Sequence, residues 1–227
     1  MALSKIDVAN MLTGEVPNAN VADLAASKIT SGTLAVARGG TGVSSGTSGQ
    51  FLKFTGSTTL ASASAGITQF HNWRYNTATQ ADASPILSNW EENDSNAYER
   101  IGSALTYSGS TGYFTLPETG KYFVIFQGQC YHDADTGAVN FLIKGTTDNG
   151  SSSHALSRVT TTIEPSSADA AGNGATCGTT QGYFDCTDTS THKLNFHIVF
   201  PGSPNGTING DSSESSTGFT LIRIGDT

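Results

Sequence analysis

YSGSTGYFTLPETGKYFVIFQGQCY, residues 107–131, alternates at every second position over its second half. Tyr122, Val124, Phe126 and Cys130 fall on one side of an extended chain, and Phe123 and Ile125 on the other. A period of two is the signature of a strand, because successive side chains point to opposite faces of a sheet. Phe114 opens the strand before it, and PETG (117–120) supplies the proline and glycine of a turn.

Further along the chain the pattern repeats. VNFLI (139–143), HKLNFHIVF (192–200) and GFTLIRI (218–224) are strands of the same kind. Leu194, Phe196, Ile198 and Phe200 alternate with Lys193, Asn195 and His197, which reads as one packed face and one wetter face. Gly, Ser, Asp and Asn clusters separate these runs, so residues 107–227 read as an all-β sandwich or jelly roll. Before them, ITQFHNWRYN (67–76) reads as an opening strand, SPILSNW (84–90) as a short second strand, and EENDSNAYER (91–100) as an acidic turn or loop. Tyr122–Phe126 is apolar on both faces, and the obvious cover for the second face is a neighbouring subunit.

Residues 1–66 differ in kind. Their only large aromatics are Phe51 and Phe54. Val8, Met11 and Leu12 suit a short helical face, and the later apolar residues (Val21, Leu24, Ile29, Leu34, Val36, Val43) stand singly at irregular spacing. One such chain cannot bury enough surface to offset the entropy of ordering it. It is therefore either a disordered linker or a stalk in which several chains wrap together. Irregular spacing supports neither a coiled coil nor a period-two sheet.

Composition narrows the partners. Of 227 residues 26 are Gly and only 13% are charged, which suits strands and turns rather than helix surfaces. A net charge of −8 repels phosphate backbones, so no nucleic-acid partner is expected. MALSKIDVANMLTGEV lacks the basic start and apolar run of a secretion signal, and no stretch is long and apolar enough for membrane insertion. The three cysteines are odd in number and lack metal-ligand spacing. Either Cys177 and Cys186 close a short disulfide loop, or all three are free thiols of a protein assembled in a reducing cytoplasm; free thiols are the expectation.

Two stretches carry family resemblances. ITSGTLAVARGGTG (29–42), followed by GQFLKFTGS, resembles a segment of tail fibre and related virion proteins of tailed bacteriophages. That resemblance implies a slender trimeric stalk or a stalk–head joint. The second stretch, 107–126, resembles the signature of the C1q/TNF-like trimeric jelly roll. Its matching positions are Tyr107, Phe114, Gly120, Tyr122 and Phe126. GFTLIRI is similar to that family's final strand, which lies in the middle of the inner sheet, and HKLNFHIVF takes the place of the strand before it. Gly102 stands where the family carries Asn or Asp, Val124 replaces an aromatic, and no collagen-like repeat precedes the head.

Together these imply an N-terminal virion-attachment and stalk region, 1–66, and a C1q/TNF-like jelly-roll head, 67–227. The expected protein is a homotrimeric tail fibre of a virion assembled in the host cytoplasm. It would meet other virion proteins through its N-terminal region and bind a host cell-surface molecule, such as a glycan, through the head. A capsid decoration or head fibre is one alternative, and a surface-glycan hydrolase a more distant one.

No catalytic or cofactor-binding residues are expected. His71, His132, His154, His192 and His197 have no i, i+4 spacing, and neither H-E-x-x-H nor G-x-S-x-G occurs. RGGTG lacks the lysine of a phosphate-binding loop. Glu91, Glu92 and Asp94 could be drawn as the carboxylates of a glycosidase, but no 20-to-30-residue repeat of a tailspike β-helix exists, and a solvated turn is the better reading. Calcium is the one metal to weigh, since C1q-like heads sometimes hold it near the trimer apex. His132, Asp133 and Asp135 supply about three ligands where calcium gathers six to eight, with Asp185, Asp188 and Asp211 on other segments, so a plain acidic turn is expected. Trp73, Tyr75, Trp90, Tyr98 and Tyr131 lie in or beside polar segments and either meet a sugar or line core and subunit contacts; core and contacts are the expectation. Ligand contact is expected on the polar loops 148–154, 164–180 and 203–216.

Overall fold

A computed structural model of the chain describes residues 40, 41, 43, 45–63, 66–80, 82–94, 98–132, 138–163, 174–202 and 206–227. Two compact units divide the chain, Met1–Ala65 and Gly66–Thr227. All regular structure among the described residues is β. Val8, Met11 and Leu12 lie outside them.

In the first unit β1 (Phe51–Phe54) and β2 (Leu60–Ala63) form an antiparallel hairpin. The irregular apolar spacing gave no reason to expect a sheet in this region. Four residues per strand are too few to show a period, and the turn residues between them carry the signal instead.

The second unit is a sandwich of two antiparallel sheets. Its strands are β3 (Phe70–Tyr75), β4 (Thr79–Gln80), β5 (Trp90–Glu92), β6 (Thr106–Tyr107), β7 (Phe114–Thr115), β8 (Gly120–His132), β9 (Val139–Thr146), β10 (His154–Thr161), β11 (Gly174–Cys186), β12 (Lys193–Val199), β13 (Thr207–Ile208) and β14 (Gly218–Gly225). One sheet runs β10-β9-β12-β7-β6. The other runs β5-β3-β14-β8, with β13 and β4 extending it beyond the end of β14, and β11 on the far edge of β8. Along the chain β3, β8, β11 and β14 belong to one sheet and β7, β9, β10 and β12 to the other. The polypeptide thus crosses repeatedly between layers, which is the winding of a jelly roll. The last strand, β14, is hydrogen-bonded to β3 and β8 and so lies inside its sheet, as the C1q/TNF-like resemblance implied.

The core forms where the inward residues of both sheets meet. Tyr122, Val124, Phe126 and Cys130 of β8 are fully buried, on the face the sequence assigned to them. Phe126 lies 5.0 Å from Phe196, ring to ring, and Phe196 stacks on Phe219 at 4.2 Å. Trp90 meets Phe114, Phe196 and Phe219 edge to face at 5.3–5.7 Å. Such pairs add roughly 0.5–1.5 kcal/mol each beyond the area they bury. Trp90 and Tyr75 are therefore core residues, and Trp73 packs against the core.

Gly128 of β8 and Gly178 of β11 are register partners. A Cβ on either would overlap the ring of Phe141, which reaches them from the opposite sheet. This explains a departure from the sequence reading. Residues 164–180 read as one loop, but 174–180 are strand, paired to 126–132. Gly174, Ala175 and Gly178 weaken the intrinsic strand signal there, and the length of β8 supplies the ladder that overrides it. Residues 164–173 lie outside the described residues.

Three other expectations change. SPILSNW is not a strand: Pro85 has no N–H to give, and Asn89 turns the chain at φ 61° before β5 begins at Trp90. Glu91 and Glu92 thus belong to a strand rather than to a solvated turn. The expected wetter face of β12 is covered, since Asn195 and His197 are both buried. Residues 83–86 run beside β12, where Ala83 and Ile198 exchange backbone bonds of 2.9 Å and Ile86 N–H donates to Phe196 O. Ser84 Oγ then sits 2.9 Å from His197 Nδ1.

Candidate interaction face

Side chains on directly opposed strand residues share a face. Across four strands of the second sheet this register aligns Phe70, Ile222, Phe123 and Tyr183 in one row. The next row is Asn72, Thr220, Ile125 and Gln181, and the one after it Arg74, Gly218, Gln127 and Thr179. All point away from the sandwich core. The face therefore grades from apolar, at the Phe70 row, to polar, at the Arg74 row.

Phe70, Phe123, Ile125 and Ile222 are half-buried by their neighbours, while Tyr183 is 69% exposed. The rings of Phe123 and Tyr183 are 5.1 Å apart, and Tyr98 lies over Phe70 at 6.0 Å. A depression of about 100 Å³ lies among Asn72, Ile125, Gln127, Ser215, Gly218 and Thr220. It is a hole of the size that one side chain of another surface would fill.

One border of this face is ionic. Arg74, only 2% exposed, donates from Nε to Glu91 Oε2 at 3.1 Å, from Nη1 to Asn93 Oδ1 at 3.1 Å and from Nη2 to Asp94 Oδ1 at 2.5 Å. Arg100 Nη1 donates to Glu92 Oε2 at 2.7 Å. Glu92, Asn93, Asp94, Tyr98, Glu99 and Arg100 surround an open cleft of about 490 Å³. Each carboxylate weighed as a glycosidase group is thus held by an arginine. Sequence reasoning missed this because the partners of Arg74 lie 17 to 20 residues away, across a strand pair.

Two of the histidines, His71 and His197, are structural. His71 is fully buried, with Nε2 3.1 Å from Gln69 Oε1 and Nδ1 3.8 Å from Glu92 Oε1. Burial pushes its pKa down. His197 lies 3.1 Å from Asn195 Oδ1 through Nε2, and burial, helped by Lys144, pushes its pKa down to about 4. Both are neutral at pH 7.

The weighed metal ligands do not converge among the described residues, where no group of three His, Cys, Asp or Glu could hold an ion. Asp188 accepts bonds from Ser190 N–H and Oγ–H, and Asp211 from Ser213 N–H and Oγ–H. These bonds lower both pKa values and tie the carboxylates to their own turns. Asp185 is exposed on β11, His132 ends β8, and Asp133 and Asp135 lie outside the described residues. All three cysteines are free. Cys177 and Cys186 occupy one extended strand, nine residues apart, or about 30 Å at the rise of a β-strand, which no disulfide spans.

Of the candidate recognition loops, 148–154 is an ordered turn. Asp148 accepts from Thr146 Oγ1 at 2.7 Å, from Ser152 N–H at 2.9 Å and from Ser152 Oγ. In 203–216 the short strand β13 interrupts the loop, and 203–205 lie outside the described residues.

No protein-family model matches the chain, and no curated protein does. Among solved structures, Eiger TNF from S. frugiperda is 12% identical over 71% of this chain and 96% of its own, with a TM-score of 0.47. Murine APRIL at pH 5.0 is 12% identical over 69% of this chain and 98% of its own, with a TM-score of 0.48. At this level of likeness the jelly-roll assignment rests on the strand order of the two sheets.

Proposed function

We propose that this chain is a non-enzymatic bacteriophage virion protein, a homotrimeric tail fibre whose jelly-roll head adheres to a molecule on the host surface. The observation that carries the reading is the apolar row Phe70, Ile222, Phe123 and Tyr183 on the outward face of the second sheet. A contiguous apolar stripe on an outward sheet face calls for a protein cover. A three-fold assembly of identical chains provides one, with the depression between Asn72 and Gln127 open to a neighbour's side chain. The segment ITSGTLAVARGGTG supports the virion context through its likeness to tail-fibre segments. Three weak sites on one rigid trimer bind by avidity, so no high-affinity pocket and no chemistry on substrate are needed.

The test is retention of fluorescently labelled full-length protein on a panel of bacterial strains, beside the double variant Phe123→Asp/Ile222→Asp. The reading predicts that at least one strain retains the wild type and that the variant, reduced to single chains, loses about 100-fold in retention. Equal retention of both, or retention of neither on any strain, would overturn it.

A further inference from the structure

The acidic residues of this chain avoid three strands of one sheet. None of its 19 Asp and Glu lies in β9, β10 or β12, whereas Lys144, Arg158 and Lys193 do. A chain of net charge −8 thus keeps a basic face. On β9, Phe141 and Ile143 are fully buried in the core, so Asn140, Leu142 and Lys144, between them, point outward. Arg158 opposes Leu142, and Ala155 opposes Lys144. Arg158 and Lys144 are therefore diagonal neighbours on that face, about 7 Å apart at Cβ, and their long side chains can close on one group. The other arginines of the head are already engaged: Arg74 with Glu91 and Asp94, Arg100 with Glu92, and Arg223 with Glu118 and Asp226. Among the described residues Lys144 and Arg158 pair with no carboxylate. Asp148, in the turn after β9, is held by Thr146 and Ser152.

We infer that the outward face of β9 and β10 recognises an anionic polysaccharide, with Lys144 and Arg158 holding one carboxylate or phosphate group. The inference rests on the adhesive reading of the head and names the chemistry of its ligand. Thr160 Oγ1 donates to Asn140 Oδ1 at 2.7 Å, so the Asn140 amide N–H groups and the Thr160 oxygen are placed to bond sugar hydroxyls beside the anion. Charge-assisted bonds from an ammonium and a guanidinium are the strong ones of such a set. At physiological salt, charges beyond about 8 Å are largely screened, so a ligand in contact meets these cations rather than the distant carboxylates. Those carboxylates meanwhile discourage the anion from the other faces, which fixes its orientation. A nucleic acid fits less well, because β9 and β10 present no outward Phe, Tyr or Trp on which a base could stack.

The experiment measures binding of the full-length protein to three immobilised polymers with one backbone: dextran, carboxymethyl dextran and phosphorylated dextran. Beside the wild type run Lys144→Gln/Arg158→Gln, the charge-preserving Lys144→Arg/Arg158→Lys, and Lys121→Gln, which removes a cation from the other sheet. The inference predicts binding to at least one anionic polymer and none to dextran, and the polymer bound tells carboxylate from phosphate. The double glutamine variant should lose about tenfold or more in affinity, while the other two stay within about threefold. No wild-type binding to either anionic polymer, equal binding by the double glutamine variant, or an equal loss in Lys121→Gln would each overturn it. So would a charge-preserving variant that binds no better than the glutamine pair, or duplex DNA bound as tightly as the polymers. Retention on bacterial strains is followed in parallel. A strain that holds wild type and double glutamine variant alike would overturn this face and leave adhesion standing. Polymer binding that depends on Lys144 and Arg158, with no strain retaining the wild type, would uphold the face and overturn adhesion.

Discussion

The two faces of the sheet built from β3, β14, β8 and β11 are made by the same strands and carry aromatic and aliphatic side chains on both sides. On the inner face Phe126, Phe219, Val124 and Leu221 are sealed by the opposite sheet. On the outer face Phe70, Phe123, Ile125 and Ile222 are only half-buried, by one another and by Tyr98. The difference shows what a single chain can and cannot complete. Alternation with apolar residues at both phases describes a strand that needs two covers. The sheet β10-β9-β12-β7-β6 is one of them, and in our reading a neighbouring copy is the other.

Breaking the inner face should have the largest effect. Phe219 touches Trp73, Trp90, Phe114 and Phe196, so Phe219→Ala should cost about 3–5 kcal/mol of stability, read as a lowered denaturation midpoint at unchanged m. Breaking the outer face should leave the fold standing. Phe123→Asp/Ile222→Asp should keep the far-ultraviolet circular dichroism of the head while the particle dissociates. A variant that unfolds instead would show that the outer face belongs to the single chain's own core.

Acid should sharpen the comparison, because the buried histidines serve the sandwich and not the outer face. The folded pKa of His197 is depressed to about 4 from 6.5. As pH falls below 6.5 the unfolded chain binds a proton that the folded chain refuses until about pH 4. Stability therefore declines through that window, by roughly 2–3 kcal/mol at its lower end. His71 acts in the same direction. Thermal midpoints across pH 7 to 4 should fall, and His197→Gln should flatten the slope. The smallest effect belongs to exposed Cys177 on the polar part of the face: Cys177→Ser should change stability by less than about 0.5 kcal/mol.

The long strands were legible because their information is local. Period two in 121–131 and 192–200 needs no knowledge of partners, and it assigned Tyr122, Val124, Phe126 and Leu194 to the core. What escaped was non-local. Residues 174–180 are strand because β8 is long enough to pair with them and because two facing glycines admit Phe141. Asn195 and His197 are buried because residues 83–86 come from more than a hundred positions away. The candidate site divides in the same way. The need for a cover over Phe123 and Ile125 was visible in the sequence, whereas the row that joins Phe70, Ile222 and Tyr183 to them exists only once the strand order is known. The ion pairs of Arg74 likewise depend on β3 meeting β5.

The native mass of the full-length chain and of Phe123→Asp/Ile222→Asp, by light scattering on a sizing column, decides whether the outer face of the sheet is a contact between chains. A wild-type species of three chains, about 70 kDa from 23.5 kDa each, and single chains for the variant are expected. A wild-type monomer, or a variant that remains trimeric, would contradict it.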